Sequence, residues 1–180
     1  FSVPTGNFGN VFAGYIAKKM GLPINKLIVA TNKNDILKRV INTGVYKPNK
    51  VEQTISPSMD IQVASNFERL IFNVHFNDAK KTLKLMNDLN IRGEFKLEEE
   101  ELNKIKESFC SESLSDEETK SIIGEIYKNN RALIDPHTAV GIGAAKKISL
   151  EGNTIALATA HPSKFYDTVM SITGIQPELP

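Results

Sequence analysis

The sequence predicts an α/β fold with a mostly parallel sheet and flanking helices. Three observations carry this. Short apolar runs at 26–30 and 154–158 have the character of strands buried on both faces. Segments with apolar residues at helical spacing lie between such runs, and Gly, Pro and Asn punctuate the joins. Strand–helix alternation of this kind favours parallel pairing. Right-handed crossovers would then align the strand C-termini along one edge, where ligands bind.

Ser2-Val3-Pro4 ends a short strand, and Gly6-Asn7-Phe8-Gly9-Asn10 turns into a helix with Val11, Phe12, Tyr15, Ile16 and Met20 on one face. Gly21 and Pro23 stop that helix. After the strand at 26–30, Asn34-Asp35 caps a helix whose Ile36, Leu37, Val40 and Ile41 share a face before Gly44. The stretch 46–57 reads as loop. Ser65 and Glu68 have the spacing of a capping box ahead of Phe67, Leu70, Ile71 and Val74. Amphipathic helices follow on Ala79, Leu83 and Met86, and on Leu102, Ile105 and Phe109. A second capping box, Ser115 with Glu118, precedes Ile122, Ile123, Ile126 and Tyr127. A strand is expected at 132–134, then a helix rich in small residues (Ala139, Gly141, Gly143, Ala144, Ala145) that permits close packing on a sheet. The strand at 154–158 and a helix on Phe165, Tyr166, Val169 and Ile172 complete the chain.

The 180 residues are 41% apolar and 24% charged, which excludes a disordered tail. A net charge of +1 gives no general attraction to nucleic acid or anionic lipid. No apolar run has the ~18–20 residues of a membrane span, and Phe1-Ser2-Val3-Pro4 lacks a signal peptide's basic region. A cytoplasmic globular chain is expected. The single cysteine, Cys110, cannot form an internal disulfide or a four-thiolate zinc site, and no histidine pair has zinc-ligand spacing. Charge is uneven. Residues 77–131 hold 13 acidic and 10 basic residues, whereas residues 1–76 carry a net +5. The stretch 77–131 therefore reads as a solvated helical module between two apolar flanks.

Three loops follow predicted strands and share the predicted edge: 6–10, 135–138 and 159–162. In the first, two glycines let the backbone approach a ligand, and the helix that follows offers free N–H groups at its positive end. The pattern is neither a Walker loop nor Gly-x-Gly-x-x-Gly. By itself it is read either as a plain strand-to-helix turn or as an anion site. His75 reads as a packing histidine, Glu98 to Glu101 as a solvated helix start, and Arg69 as pairing either with a ligand's anion or with Asp60 or Glu68. Cys110 reads as incidental rather than nucleophilic.

The segment Val3-Pro4-Thr5-Gly6-Asn7-Phe8-Gly9-Asn10 resembles the phosphate cup of threonine synthases, pyridoxal-phosphate enzymes of the tryptophan-synthase-β fold type. Ala30-Thr31-Asn32-Lys33-Asn34-Asp35, Ser56-Pro57-Ser58-Met59-Asp60-Ile61, Ser65-Asn66-Phe67-Glu68-Arg69, Asp135-Pro136-His137-Thr138-Ala139 and Thr159-Ala160-His161-Pro162 resemble the same family in the family's order. The resemblance implies that Gly6, Asn7, Phe8, Gly9 and Asn10 hold pyridoxal phosphate and that Thr159 faces its ring nitrogen. It places Asp135, His137, Thr138 and His161 in active-site loops. It implies conversion of O-phospho-L-homoserine and water to L-threonine and phosphate.

The family's Schiff-base lysine would lie upstream of Phe1. Lys164 falls at the wrong place in the family order. The resemblance thus implies that residues 1–180 are the C-terminal part of the cofactor-binding large domain, inactive without the N-terminal part of the same protein. Other readings are a different lyase or β-replacement enzyme with this cofactor, or a non-catalytic α/β module that binds a phosphorylated ligand.

Overall fold

A sheet of three parallel strands runs through the centre of the computed structural model, which describes residues 1–180. Strand β2 (Leu27–Thr31), with all five residues buried, lies between β1 (Ser2–Pro4) and β5 (Phe109–Ser113). Five consecutive buried residues need a covered sheet on both faces. Helices α1 (Gly9–Lys19), α2 (Ile36–Thr43), α3 (Phe67–Val74) and α5 (Glu99–Ser108) enclose the larger core, which includes Phe8, Leu27, Leu37, Phe67 and Phe109. Helix α7 (Pro136–Ile148) covers the other face through Val140 and Ala144, against Ile28, Ala30 and Leu114. The α/β architecture with a parallel sheet is that expected from the sequence.

The small residues of α7 act as anticipated. A Cβ on Gly141 would stand 3.1 Å from Pro4 Cγ, and Ser2 Oγ donates to the Gly141 carbonyl at 2.6 Å. A side chain at 141 would press on Pro4, and glycine lets α7 lie this close to β1 without displacing it. Helix α6 (Asp116–Asn130) starts with the reciprocal Ser115–Glu118 capping box, and α8 (Tyr166–Thr173) anchors itself through buried Val169. No helix is long and apolar enough to cross a membrane.

Several expectations are corrected. The helix read through Phe109 ends at Ser108, and Phe109–Ser113 is the third strand of the main sheet. The charged stretch 77–131 is therefore not wholly helical, and it carries Cys110 into β5. Burial there pushes the Cys110 thiol pKa up, away from nucleophilic use. The same stretch holds β4 (Phe95–Lys96), antiparallel to β3 (Val45–Tyr46). Residues 132–134 are not a strand, and 154–158 contribute only a parallel bridge, Ser2 to Ala156, with Ile155 53% exposed. Met20, 83% exposed, lies off the buried face of α1.

Helix α4 (Ala79–Arg92) is turned relative to the predicted stripe. Thr82 is its buried residue, Leu85, Met86 and Leu89 pack on the core, and Leu83 faces outward. Against Thr82 lies His75, the packing histidine, whose Nδ1 is 3.1 Å from Thr82 Oγ1 and Nε2 2.8 Å from Glu101 Oε1. One buried ring thus ties α3, α4 and α5 together. The capping box read at Ser65–Glu68 does not form. Asn66 is the cap residue of α3, and both its backbone N–H and its Nδ2 donate to the carbonyl of Asn7, at 3.1 and 2.9 Å.

Candidate functional site

The segment between β1 and α1 is a run of unused donors. Thr5 N–H still belongs to the sheet, donating to Ala30 O at 2.8 Å, and the first helical bond of the next turn is Phe12 N–H to Phe8 O. The backbone N–H groups of residues 6–11 in between find no acceptor within the protein. Helix α1 has no side-chain cap and no acidic residue in its first turn. Six open donors, two of them in glycines and the last three in the first turn of α1, can make a cradle for an anion.

Phe8 shapes the cradle from behind. Its φ of 66° is left-handed, which costs a non-glycine residue about 1–2 kcal/mol. Its ring is wholly buried, edge-on to Phe67 at 5.2 Å and tilted on Phe109 at 5.6 Å. Burying the ring inward turns the backbone amides outward. At the front, a Cβ on Gly6 would sit 2.8 Å from the Ser58 carbonyl oxygen and 3.3 Å from Met59 Cα. The turn at Pro57–Met59 is therefore pressed onto the glycine loop, and only glycine fits at position 6.

These pieces line a cavity of about 260 Å³. Gly6, Asn7, Phe8, Gly9 and Asn10 form one side, Ser58, Met59 and His137 a second, and Thr159 and Ala160 a third. The side chains of Asn7 and Asn10 are exposed and donate to no protein group. Residues from the segments after β1, after 132–134 and after 154–158 line this cavity, although neither of the latter two stretches is a strand of the sheet. None of the lining residues is a lysine, and Lys164 is exposed in the turn Pro162–Phe165.

The four residues of the two later loops divide. His137 reaches the cavity beside the glycine loop. Asp135 and Thr138 border a separate cavity of about 550 Å³ with His161 and the segment 175–178. Asp135, with no exposed surface, caps α7. It accepts from His137 N–H at 2.9 Å, Thr138 N–H at 3.3 Å, the Thr138 hydroxyl and the His137 ring at 2.9 Å. Burial opposes its charge, but the hydrogen bonds from His137 and Thr138 outweigh that and hold its pKa below the ordinary 3.8. His161 is exposed and engages Ser163 Oγ at 2.7 Å.

Sequence reasoning did not place Ser58 and Met59 at the cavity, although the string Ser56-Pro57-Ser58-Met59-Asp60 carries part of the family likeness. What fixes them is a partly buried polar cluster. Asp60 Oδ1 accepts from Asn32 Nδ2 at 2.8 Å, Asn34 Nδ2 at 3.0 Å and Thr54 Oγ1 at 2.7 Å. Asp60 is thus occupied, and Arg69, exposed on α3, forms an ion pair with neither Asp60 nor Glu68.

Comparison with known proteins decides the family. A family model described as "Threonine synthase, C-terminal" matches residues 138–180. Threonine synthase of Pseudomonas aeruginosa is 44% identical over 183 residues, covering 100% of this chain and 39% of its own length. A crystal structure of PLP-bound threonine synthase from Brucella melitensis superposes with a TM-score of 0.93 at 46% identity, over 100% of this chain and 39% of that one. The chain belongs to the threonine synthase family. The yeast enzyme's crystal structure agrees, with a TM-score of 0.91 and 39% identity, over 97% of this chain and 38% of that one. The chain spans roughly two fifths of the length of these threonine synthases, and the match places its glycine loop, Ser58 turn and 159–162 loop inside the threonine synthase fold.

Proposed function

We propose that this chain is the phosphate-gripping part of a pyridoxal-phosphate-dependent threonine synthase, a carbon–oxygen lyase acting on a phosphate. The reaction is O-phospho-L-homoserine and water to L-threonine and phosphate. The observation that carries the reading is the run of unpaired amides, five of whose residues (Gly6 to Asn10) line the 260 Å³ cavity, a donor set matched to a dianionic phosphate monoester. Together with the likeness to a PLP-bound threonine synthase, it supports pyridoxal phosphate as the ligand.

The amides of Gly6 to Asn10 would hold the phosphate, with the side-chain amides of Asn7 and Asn10 as further donors. Thr159, across the cavity, would meet the ring nitrogen with a neutral hydroxyl. An alcohol cannot hold a pyridinium proton as a carboxylate would, so the charge on the ring would stay low. Pyridoxal phosphate, when bound, supplies a conjugated electron sink for the amino acid's carbon skeleton. The amine that attaches it comes from outside these residues, because the cavity has no lysine.

A hybrid enzyme tests this. Residues 1–180 replace the aligned 183-residue segment of the Pseudomonas aeruginosa enzyme. The hybrid is expected to release phosphate from O-phospho-L-homoserine, while the 180 residues alone release none. A folded hybrid that turned over serine derivatives instead would point to a β-replacement enzyme. Saturable phosphate binding without turnover would point to a binding module.

Gly6→Ala should weaken pyridoxal phosphate in the hybrid. The new methyl group meets the Ser58 carbonyl at 2.8 Å, a backbone atom that cannot swing aside. Displacing the loop forfeits one or two charge-assisted hydrogen bonds, about tenfold to a hundredfold in Kd. Fluorescence titration of the cofactor measures it.

A further inference from the structure

His137 has a use beyond sharing Asp135. The backbone N–H of Ser58 points at His137 Nε2, 3.2 Å away. A backbone amide can only donate, so Nε2 is the unprotonated nitrogen. The proton is then on Nδ1, where it is donated to Asp135 Oδ1 at 2.9 Å. The ring is therefore neutral, in a single tautomer set by the buried carboxylate. It is 3% exposed and wedged against Phe165, with ring centroids 4.7 Å apart. Neither of its nitrogens is left free for proton transfer.

The amide it holds belongs to the turn that presses on the glycine loop. On its far side the turn is tied down by Asp60 through Asn32, Asn34 and Thr54. On the cavity side His137 is its only hydrogen-bond anchor, since the Ser58 side chain makes none and Gly6 meets it by contact alone. We propose that His137 is a positioning residue: as acceptor for Ser58 N–H it seats the 57–59 turn against Gly6 and so sets the shape of the amide cradle. The path runs from Asp135 to His137, to Ser58, to Gly6, and its link from His137 to Ser58 joins residues 79 positions apart. The inference rests on the proposed cofactor reading for its consequence, but its first link can be tested without a ligand.

Two substitutions in the hybrid separate positioning from bulk packing. His137→Leu fills the space without an acceptor. His137→Gln puts an amide oxygen near the place of Nε2. Hydrogen exchange at the Ser58 amide is expected to speed up at least tenfold in the leucine variant and to stay within about threefold of the parent in the glutamine variant. The dissociation constant of pyridoxal phosphate should rise about tenfold with leucine, the worth of one lost hydrogen bond, and be rescued by glutamine. Unchanged exchange and affinity with leucine would overturn the proposal. So would equal losses in both variants, which would make the ring a packing element only. If the parent hybrid binds no pyridoxal phosphate, the cofactor reading fails, and Ser58 exchange alone decides whether His137 positions the turn.

Discussion

Asp135→Ala lowers the unfolding free energy by about 3–5 kcal/mol, because it leaves several buried donors without an acceptor at about 1–3 kcal/mol each. The carboxylate has no exposed surface and receives four hydrogen bonds, two from the first backbone amides of α7 and two from the side chains of His137 and Thr138. Alanine strands these donors away from water and uncaps the helix, a loss of about 0.5–2 kcal/mol by itself. Asp135→Asn keeps an acceptor oxygen and costs less. Urea denaturation of the parent and both variants measures the order.

The pH dependence gives a second readout of the same residue. Its pKa in the folded chain is depressed below 3.8, the ordinary value. A depressed carboxylate contributes stability that is fully present above the unfolded value and is lost as pH falls through the folded one. Between pH 5 and pH 3 the parent should therefore lose more stability than Asp135→Asn, whose amide does not titrate. Equal slopes for the two would show that the hydrogen bonds from His137 and Thr138 do not hold the charge.

Phe8→Ala is the other large effect, again about 3–5 kcal/mol for deleting a fully buried aromatic ring. Phe8 touches Phe67 on α3 and Phe109 on β5, so the cavity left behind opens the junction of three elements. The left-handed backbone adds a distinctive order among variants. Alanine keeps the strain at φ 66°, whereas glycine relieves about 1 kcal/mol of it. Phe8→Gly should then be no less stable than Phe8→Ala, the reverse of the usual ranking in an element interior. Thermal denaturation checks the order. A clear advantage for alanine would mean that the loop relaxes out of the left-handed region once the ring is gone.

The two capping boxes show how far local signals reach. At Ser115 and Glu118 the box forms, although Glu118 also pairs with Lys147 at 2.7 Å. Ser65 and Glu68 have the same spacing, but Asn66 is drawn to the carbonyl of Asn7, a residue 59 positions away, and the local motif loses. Strand β5 was hidden for a related reason. Phe109 continues the helical phase of Leu102 and Ile105, while Cys110, Ser111 and Ser113 carry no strand pattern of their own. Its hydrogen bonds with β2 make it a strand. The opposite error occurred at 132–134 and 154–158, where apolar composition suggested strands but only Ala156 finds a pairing partner.

The amino-acid order alone settles whatever depends on near neighbours: the helix faces of α2 and α3, the Ser115–Glu118 cap, and the glycine loop that leads into α1. Family likeness was legible for the same reason, because it resides in contiguous strings such as Gly6-Asn7-Phe8-Gly9-Asn10. Folding in three dimensions decided that Ser58 leans on Gly6, that His137 is neutral and committed to Ser58, and that His161 faces a different cavity. These are contacts between groups far apart along the chain. Their geometry is set by how sheet, helices and turns pack together, and no pattern within one turn of a helix or one strand encodes it.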